Sequence, residues 1–211
     1  MTASLQTAEG PAESGAPLDP ERRAAVVTAC LVGGVGCIGV AVPIVESFGP
    51  SEREKAAGGP VEVDISSIPV GQLKVIEWQG KPVWVLHRSP AMIESLKNHD
   101  ALLADPASKR TAYPTPDYVL KDPTTRSIKP EFFVAVGICT HLGCSPGGPF
   151  APGENPQLGD QWGFFCPCHG STFDLAGRVF QNKPAGDNLP IPPYEYVTDA
   201  LVVIGEHKKS A

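Results

Sequence analysis

Two short stretches, CTHLGC at 139–144 and CPCHGS at 166–171, decide what this chain of 211 residues folds around. Each stretch places a histidine beside two cysteines, and together they hold four of the six cysteines of the chain. Gly143 and Gly170 allow the tight turns that bring neighbouring side chains to one point. Four donor atoms, two from each stretch, are then able to surround a compact centre. The pattern predicts a metal centre held between two loops.

The residue types alone leave two kinds of metal centre open. Two cysteines and two histidines are good tetrahedral ligands for zinc, and the same set also holds one type of [2Fe-2S] cluster. A zinc site would use only two of the four clustered cysteines and would leave the other two unexplained. The spacing and the residue types fit both kinds of centre, and zinc stays open as the alternative.

Runs rich in valine, isoleucine and aromatic residues surround both stretches and predict β-strands. The predicted strands are Val61–Ile65, Leu73–Trp78, Pro82–His87, Phe132–Ile138, Gly163–Phe165 and Leu201–Ile204. Gln79-Gly80 predicts a hairpin turn between the second and third of them. One helix is expected after Ser89, a suitable N-cap before Pro90. Its broken apolar face consists of Met92, Ile93, Leu96, Leu102 and Leu103.

The segment Ala24–Val45 carries no charged side chain. As a helix it extends roughly 33 Å at about 1.5 Å per residue, enough for a hydrocarbon core of about 30 Å. A cleaved signal peptide has a shorter apolar region, and a buried helix of a soluble protein rarely stays apolar on every side. The segment therefore predicts one N-terminal transmembrane helix in the lipid bilayer.

Arg22 and Arg23 directly precede this apolar segment, and the positive-inside rule places them in the cytoplasm. The pair also resembles a twin-arginine export signal. The sequence lacks an Arg- and Ser-rich transit peptide, which favours a bacterial cytoplasmic (inner) membrane with a periplasmic head. The expected parts are a disordered cytoplasmic N-terminus at 1–21, a transmembrane anchor at 22–48, a flexible hinge at 49–60 and the extracytoplasmic head at 61–211, with cluster-binding loops at 137–148 and 164–174.

The charge of the chain argues against one class of partner. The formal net charge is -6 and the isoelectric point is near 5.3. Proteins that bind nucleic acid concentrate lysine and arginine on one face, so nucleic acid is excluded as an expected partner. An acidic surface is able to steer a basic protein partner, although it usually serves only solubility.

Both cysteine stretches resemble the signature of the Rieske iron-sulfur subunit of the bacterial cytochrome bc complex. The resemblance implies an antiparallel β-sandwich head with a small helical insertion, preceded by the transmembrane helix, and one [2Fe-2S] cluster. In that family the residues matching Cys139 and Cys166 bind one iron, and those matching His141 and His169 bind the other. The family also implies a disulfide between Cys144 and Cys168, and a hydrogen bond from Ser171 to a bridging sulfide.

The extra cysteine pair indicates one branch of the family, because Rieske-type ferredoxins and ring-hydroxylating oxygenases generally lack it. The quinol-oxidising branch implies a proton-translocating quinol:cytochrome c reductase that acts as part of a larger, dimeric complex. There, His169 takes a proton and the cluster an electron from ubiquinol, with His141 as the second titrating ligand, and the partners are a cytochrome b and a cytochrome c-type subunit. The alternatives are a subunit of a molybdenum oxidase, such as one oxidising arsenite, or of a plastoquinol-type cytochrome bf complex.

The sequence departs from the family pattern at two places near the cluster. Phe173 replaces a tyrosine whose hydroxyl contacts a cysteine ligand in many members, so we expect a lower reduction potential here. Lys183–Gly186 (KPAG) replaces the Gly-Pro-Ala-Pro loop that covers the cluster. His87, His99 and His207 lie far from both stretches in the sequence, and we expect structural or surface roles for them.

Overall fold

The computed structural model describes residues 19–49, 58–97, 99–110 and 112–206. The chain divides into two compact units, Met1–Ser51 and Glu52–Ala211. Residues 1–18, most of the expected hinge and His207 lie outside the described residues. The expected disorder at 1–21 and flexibility at 49–60 therefore stay predictions.

The N-terminal unit contains one helix among its described residues, α1 (Pro20–Glu46). The Asp19 side chain caps it by accepting a hydrogen bond from the N–H of Glu21 over 3.0 Å, and the ring of Pro20 already fixes a helical φ. The helix therefore begins and ends slightly before the predicted anchor at 22–48. Its most apolar window has a mean hydropathy of 2.3, and none of its residues is buried. By length and composition α1 is able to cross a membrane.

Within the described residues, the second unit contains three antiparallel sheets of three strands each. The strands are β1 (Val61–Asp64), β2 (Leu73–Trp78), β3 (Lys81–His87), β4 (Phe132–Val136), β5 (Gly147–Phe150), β6 (Gly163–Cys166), β7 (Ser171–Phe173), β8 (Tyr194–Tyr196) and β9 (Leu201–Ile204). The strand orders are β1-β9-β8, β2-β3-β4 and β5-β6-β7. The predicted mainly β head is confirmed.

β2 and β3 form the predicted hairpin, whose last pair is Trp78 and Lys81. Gln79 and Gly80 have φ values of 52° and 68°, and two positive φ values in succession are what a type I′ hairpin turn requires. β3 also pairs with β4 and is therefore the central strand of its sheet. Its residues Val83–Leu86 are all buried. The loop that follows β4 thus starts from a strand packed into the core.

One core cluster extends from the sheets to the base of the cysteine loops. Its largest fully buried apolar side chains include Tyr194, Phe133, Phe164, Phe173 and Ile65. Each such side chain stabilises the fold by about 1.5–3 kcal/mol through burial. Cys139 and Cys166 belong to the same cluster, so the packing of the head fixes the positions of both thiols.

The single helix predicted after Ser89 is wrong, because the structure divides that segment. Ser89 caps α2 (Pro90–Glu94), as expected, and a separate 3₁₀ helix spans Asp100–Leu102. Between them, the carbonyl of Leu96 accepts a hydrogen bond from Nη2 of Arg178 over 2.8 Å. That bond takes an acceptor that a continuing helix would use. A distant buried arginine therefore helps to end the helix where local periodicity would extend it.

The insertion between β3 and β4 contains a further helix, α3 (Asp117–Lys121), which the sequence did not predict. Its five residues are too few to show a helical period. Val119 is buried, and the Tyr118 hydroxyl donates to the carbonyl of Pro192 over 3.0 Å. These contacts hold α3 against the segment that leads into β8.

Candidate metal centre

The first cysteine loop follows β4 and turns back on itself. The N–H of Cys139 donates to the carbonyl of Cys144 over 2.7 Å, and the N–H of Gly143 donates to the carbonyl of Cys139 over 3.0 Å. Gly143 has a φ of 84°, which a residue with a side chain rarely adopts. The two bonds close the loop, so that Cys139 is buried at its base and Leu142 is exposed at its tip.

The second cysteine loop is the turn of the β6-β7 hairpin. Cys166 pairs with Ser171 at the end of that hairpin. The N–H of Gly170, at a φ of 79°, donates to the carbonyl of Cys166 over 3.0 Å. Cys166 is buried, whereas His169 is exposed. This loop therefore also has a thiol at its base and a histidine ring in contact with solvent.

A disulfide joins Cys144 of the first loop to Cys168 of the second. This is the pairing that the family resemblance implied. The sulfur atoms of Cys144, Cys166 and Cys168 lie within 4.8 Å of one another. The disulfide occupies two of these three sulfurs, so Cys166 alone among them has a thiol available for a metal ion.

The two free thiols and the two histidines lie together between the loops. The thiol of Cys139 interacts with the thiol of Cys166 and with the backbone N–H of His141. Burial, the largest influence, raises the pKa of the Cys139 thiol. The rings of His141 and His169 lie edge to face with centroids 4.7 Å apart. The structure thus pairs the two predicted cysteine ligands with each other, and the two predicted histidine ligands with each other, across the two loops.

The Nδ1 atom of His141 shows whether this donor set fits a metal cluster. It is buried and has no hydrogen-bond partner in the part of the chain that the structure describes. Buried polar atoms almost always have a partner, and an imidazole nitrogen is a common metal ligand. Two buried thiols beside two imidazoles are the donor set of a [2Fe-2S] cluster with mixed ligands. The residues present fit that cluster.

The hydroxyl of Ser171 connects a thiol of the site to the segment that follows β7. Ser171 is fully buried. Burial raises the pKa of Cys139, and the hydrogen bond from Ser171 is among the contacts that lower it again. The same Oγ accepts a hydrogen bond from the N–H of Ala185 over 3.0 Å. Ser171, predicted from the resemblance, therefore touches a predicted ligand.

The segment Lys183–Gly186 lies against the second loop despite its departure from the family pattern, and the next residue, Asp187, contacts the first loop. Ala185 is buried and bonds to Ser171 of the second loop. The Thr140 hydroxyl of the first loop donates to the carbonyl of Asp187 over 2.5 Å. Sequence reasoning missed Thr140, although its position between two predicted ligands was a usable signal.

Phe173 is the last residue of β7 and is fully buried. It pairs across the hairpin with Phe164, which is also buried. With no hydroxyl at this position, the donor that a tyrosine would supply is missing.

The two described histidines outside the loops have structural partners. His87 Nδ1 lies 2.7 Å from the carbonyl oxygen of Ile68, and His99 Nε2 lies 3.2 Å from Oδ2 of Asp174. Neither belongs to the metal centre. The third, His207, lies outside the described residues.

Asp174 lies directly after β7 and forms a buried ion pair with Arg178. The sequence did not predict this pair. The Asp174 carboxylate accepts hydrogen bonds from the N–H groups of Ala176 and Arg178 over 2.9 and 2.8 Å, and from Nε of Arg178 over 2.7 Å. Burial alone would raise the pKa of Asp174, but the bonds from His99 and Arg178 outweigh it and hold that pKa below its usual value. This pair fixes the turn that follows the second cysteine loop.

Comparison with known proteins assigns the head to one family. Residues 63–194 match the Rieske [2Fe-2S] domain. A protein of Allochromatium vinosum named ubiquinol-cytochrome c reductase iron-sulfur subunit is 52% identical over 193 residues, covering 90% of each chain. One of the same name from Blastochloris viridis is 37% identical over 183 residues, covering 85% of this chain and 89% of the relative.

Among solved structures, a chain of a hyperthermophilic respiratory Complex III is similar to this one. The two are 25% identical, with a TM-score of 0.44, and the match covers 84% of this chain and 98% of the other.

Proposed function

The chain belongs to the Rieske [2Fe-2S] domain family, and from this premise we propose that it is the electron-transfer subunit of a bacterial ubiquinol:cytochrome c oxidoreductase. The family match covers most of the head, and relatives named as iron-sulfur subunits of that enzyme align along nearly the whole chain. The chain carries one [2Fe-2S] cluster and works as an oxidoreductase within a larger complex. The observation that carries the proposal is the convergence of two buried thiols and two histidine rings beside a disulfide.

We assign the ligands by their burial. The buried thiols of Cys139 and Cys166 would hold one iron, and the rings of His141 and His169 would hold the other. The unpartnered Nδ1 of His141 is the ligand atom that this assignment requires on that ring. When bound, the cluster supplies a one-electron couple in the range of about -150 to +300 mV and makes the free N–H of a histidine ligand more acidic.

The exposed side of the site is where a proton would be exchanged. His169 is exposed, so a ring nitrogen of His169 is accessible to a hydroxyl group of ubiquinol. In the proposed reaction that nitrogen accepts the hydrogen bond and then the proton of the quinol, and later releases it to solvent. His141 is the second ligand that exchanges a proton. Leu142, at the tip of the first loop, is 70% exposed and would help to exclude water once a partner covers it.

The two units of the chain would lie in different environments. α1 spans the membrane once, and the positive-inside rule places Arg22 and Arg23 in the cytoplasm. The head is then periplasmic, which fits the disulfide between Cys144 and Cys168 because such bonds persist in oxidising compartments. The hinge at 49–60 would let the head move between a cytochrome b and a cytochrome c-type subunit of a dimeric complex.

The complex purified through a tag on this chain tests the proposal. Adding ubiquinol under anaerobic conditions is expected to produce the electron paramagnetic resonance signal of a reduced [2Fe-2S] cluster, with a b-type cytochrome in the same preparation. His169→Gln should abolish that signal, whereas His87→Gln, in a histidine outside the site, should keep it. A preparation that contains a molybdenum enzyme instead, and a cluster that ubiquinol does not reduce, would support the molybdenum oxidase alternative.

A further inference from the structure

Among the described residues of the head, three arginines are buried, and two of them have a partner for every nitrogen. Arg88 donates from Nε, Nη1 and Nη2 to the carbonyls of Pro130 and Thr125 and to the hydroxyl of Ser127. Arg178 donates from the same three atoms to Asp174, Asp100 and Leu96. A buried cation needs such partners, because a buried donor without an acceptor loses its hydration and gains no bond in return.

Arg126 differs from these two arginines at one atom. Its Nη1 donates to the carbonyl of Ala176 over 2.8 Å, and its Nη2 donates to the carbonyl of Leu189 over 2.9 Å. Its Nε is buried and has no partner among the described residues. Arg126 also forms no ion pair with a described carboxylate. Burial lowers the pKa of Arg126 to about 10, so the side chain is still a cation at neutral pH.

A small cavity lies beside this arginine. Its volume is about 20 Å³, and Arg126, Asp105, Asn188 and Ser108 are among the residues that line it. A polar cavity of this size holds one water molecule. Asp105 is buried, at 8% exposure. Its negative charge favours the cationic form of Arg126, although the two side chains are not in contact.

We propose that one ordered water molecule occupies this cavity and bridges Arg126 to Asp105. The water accepts a hydrogen bond from Nε of Arg126 and donates one to a carboxylate oxygen of Asp105. The result is an ion pair mediated by the water. The water supplies the missing acceptor to Arg126 and connects the two charged groups by hydrogen bonds. Two arginines, Arg110 and Arg126, and two aspartates, Asp105 and Asp187, line the cavity, so their formal charges balance and a neutral water fits it better than an anion does.

The bridge joins two parts of the insertion between β3 and β4, to which both Asp105 and Arg126 belong. The carboxylate of Asp105 already accepts from the N–H groups of Lys109 and Arg110. The backbone carbonyl of Asp105 accepts a hydrogen bond from Nδ2 of Asn188 over 2.9 Å, and Arg126 donates to the carbonyl of the next residue, Leu189. The water thus connects two residues of the insertion that each bind the segment before β8.

A structure of the intact complex at a resolution that shows ordered water tests the proposal. One water is expected at about 2.7–3.2 Å from Nε of Arg126 and from an oxygen of Asp105. Arg88 and Arg178 are the internal controls, and their Nε atoms should have no such water. An empty cavity, or a water that reaches Arg126 and not Asp105, would overturn the bridge.

A second crystal soaked in sodium bromide separates water from an anion. If water occupies the site, no anomalous scattering peak from bromide appears beside Arg126, and the water remains. A bromide peak in the cavity would show that the site selects an anion and would contradict the proposal. Neither experiment depends on the assignment of the cluster ligands. A result that contradicts the water bridge would therefore leave the proposed function unaffected.

Discussion

The backbone N–H of Ala185 donates a hydrogen bond to Ser171 Oγ over 3.0 Å. The same hydroxyl interacts with the thiol of Cys139. One buried serine therefore connects a predicted cluster ligand to the segment that lies over both loops. Its orientation is fixed from two sides, which leaves its proton directed to sulfur.

Replacing this serine should lower the reduction potential of the cluster. Ser171→Ala removes a hydrogen bond that stabilises negative charge on sulfur, and that charge increases on reduction. We expect a potential lower by roughly tens of millivolts, given how strongly such bonds tune these clusters. Redox titration followed by electron paramagnetic resonance measures it. The matched control is Ser145→Ala, since Ser145 donates to the carbonyl of Gly137, and an equal shift in both variants would contradict this role.

Phe173→Tyr should act in the opposite direction. The new hydroxyl would restore the donor that many relatives have at this position, and the potential should rise by about tens of millivolts. Phe132→Tyr, in a half-buried residue at the start of β4, adds the same group away from the loops and should leave the potential unchanged. If the reduction potential of the Phe173→Tyr variant does not rise, the missing hydroxyl does not lower the potential of this cluster.

The ion pair of Asp174 should stabilise the head in a pH-dependent way. The pKa of Asp174 is lower in the folded head than its usual value of about 3.9. Its contribution is therefore fully present above about pH 4 and is lost as the pH falls through the folded pKa. Asp174→Asn also leaves the buried Arg178 with the largely exposed Asp100 as its remaining carboxylate partner, and breaking a buried pair costs about 3–5 kcal/mol.

Thermal loss of the visible cluster absorption, measured at several pH values, checks this prediction. The variant should lose its absorption at a lower temperature than the wild type at pH 7, and the gap should shrink below about pH 4. Asp199→Asn is the control, because Asp199 pairs with Lys129 while fully exposed, and exposed pairs contribute little. A gap that stays constant in acid would count against the ion pair as its cause.

Removing the disulfide should loosen the metal centre. With Cys144→Ser and Cys168→Ser together, the two loops lose their only covalent tie among the described residues. We expect faster loss of iron to a chelator, because the four ligands come from two loops that must stay together. Cys30→Ser with Cys37→Ser removes the two free cysteines of α1 and should leave that rate unchanged. Equal rates in all variants would show that the bond is dispensable.

The metal centre could be predicted from the sequence because its candidate ligands lie in two compact stretches with distinctive spacing. Other parts of the site could not. The sequence of β5, Gly-Gly-Pro-Phe, is typical of a loop. The segment forms a strand because it pairs with β6 in a shifted register. The disulfide partner of Cys144 came from the family resemblance, since spacing alone leaves pairings open.

The buried charged side chains also could not be predicted from local sequence patterns. Arg126 reaches carbonyls 50 and 63 residues away in the sequence, and a polar side chain gives no local sign that it will be buried. Arg178 similarly binds the carbonyl of Leu96, just beyond the end of a helix that the apolar spacing would have continued. Such contacts depend on how the insertion packs on the sheets. The hydrophobic periodicity of a single segment does not predict that packing.

The central claim is that the two histidines would bind the cluster, and that their free ring nitrogens take up a proton when the cluster takes up an electron. The most direct test is the reduction potential of the cluster in the intact complex, measured as a function of pH. If His141 and His169 are ligands with free ring nitrogens, the potential should fall with rising pH from near neutral upward. A potential that stays flat across that range would contradict the coupled transfer of an electron and a proton.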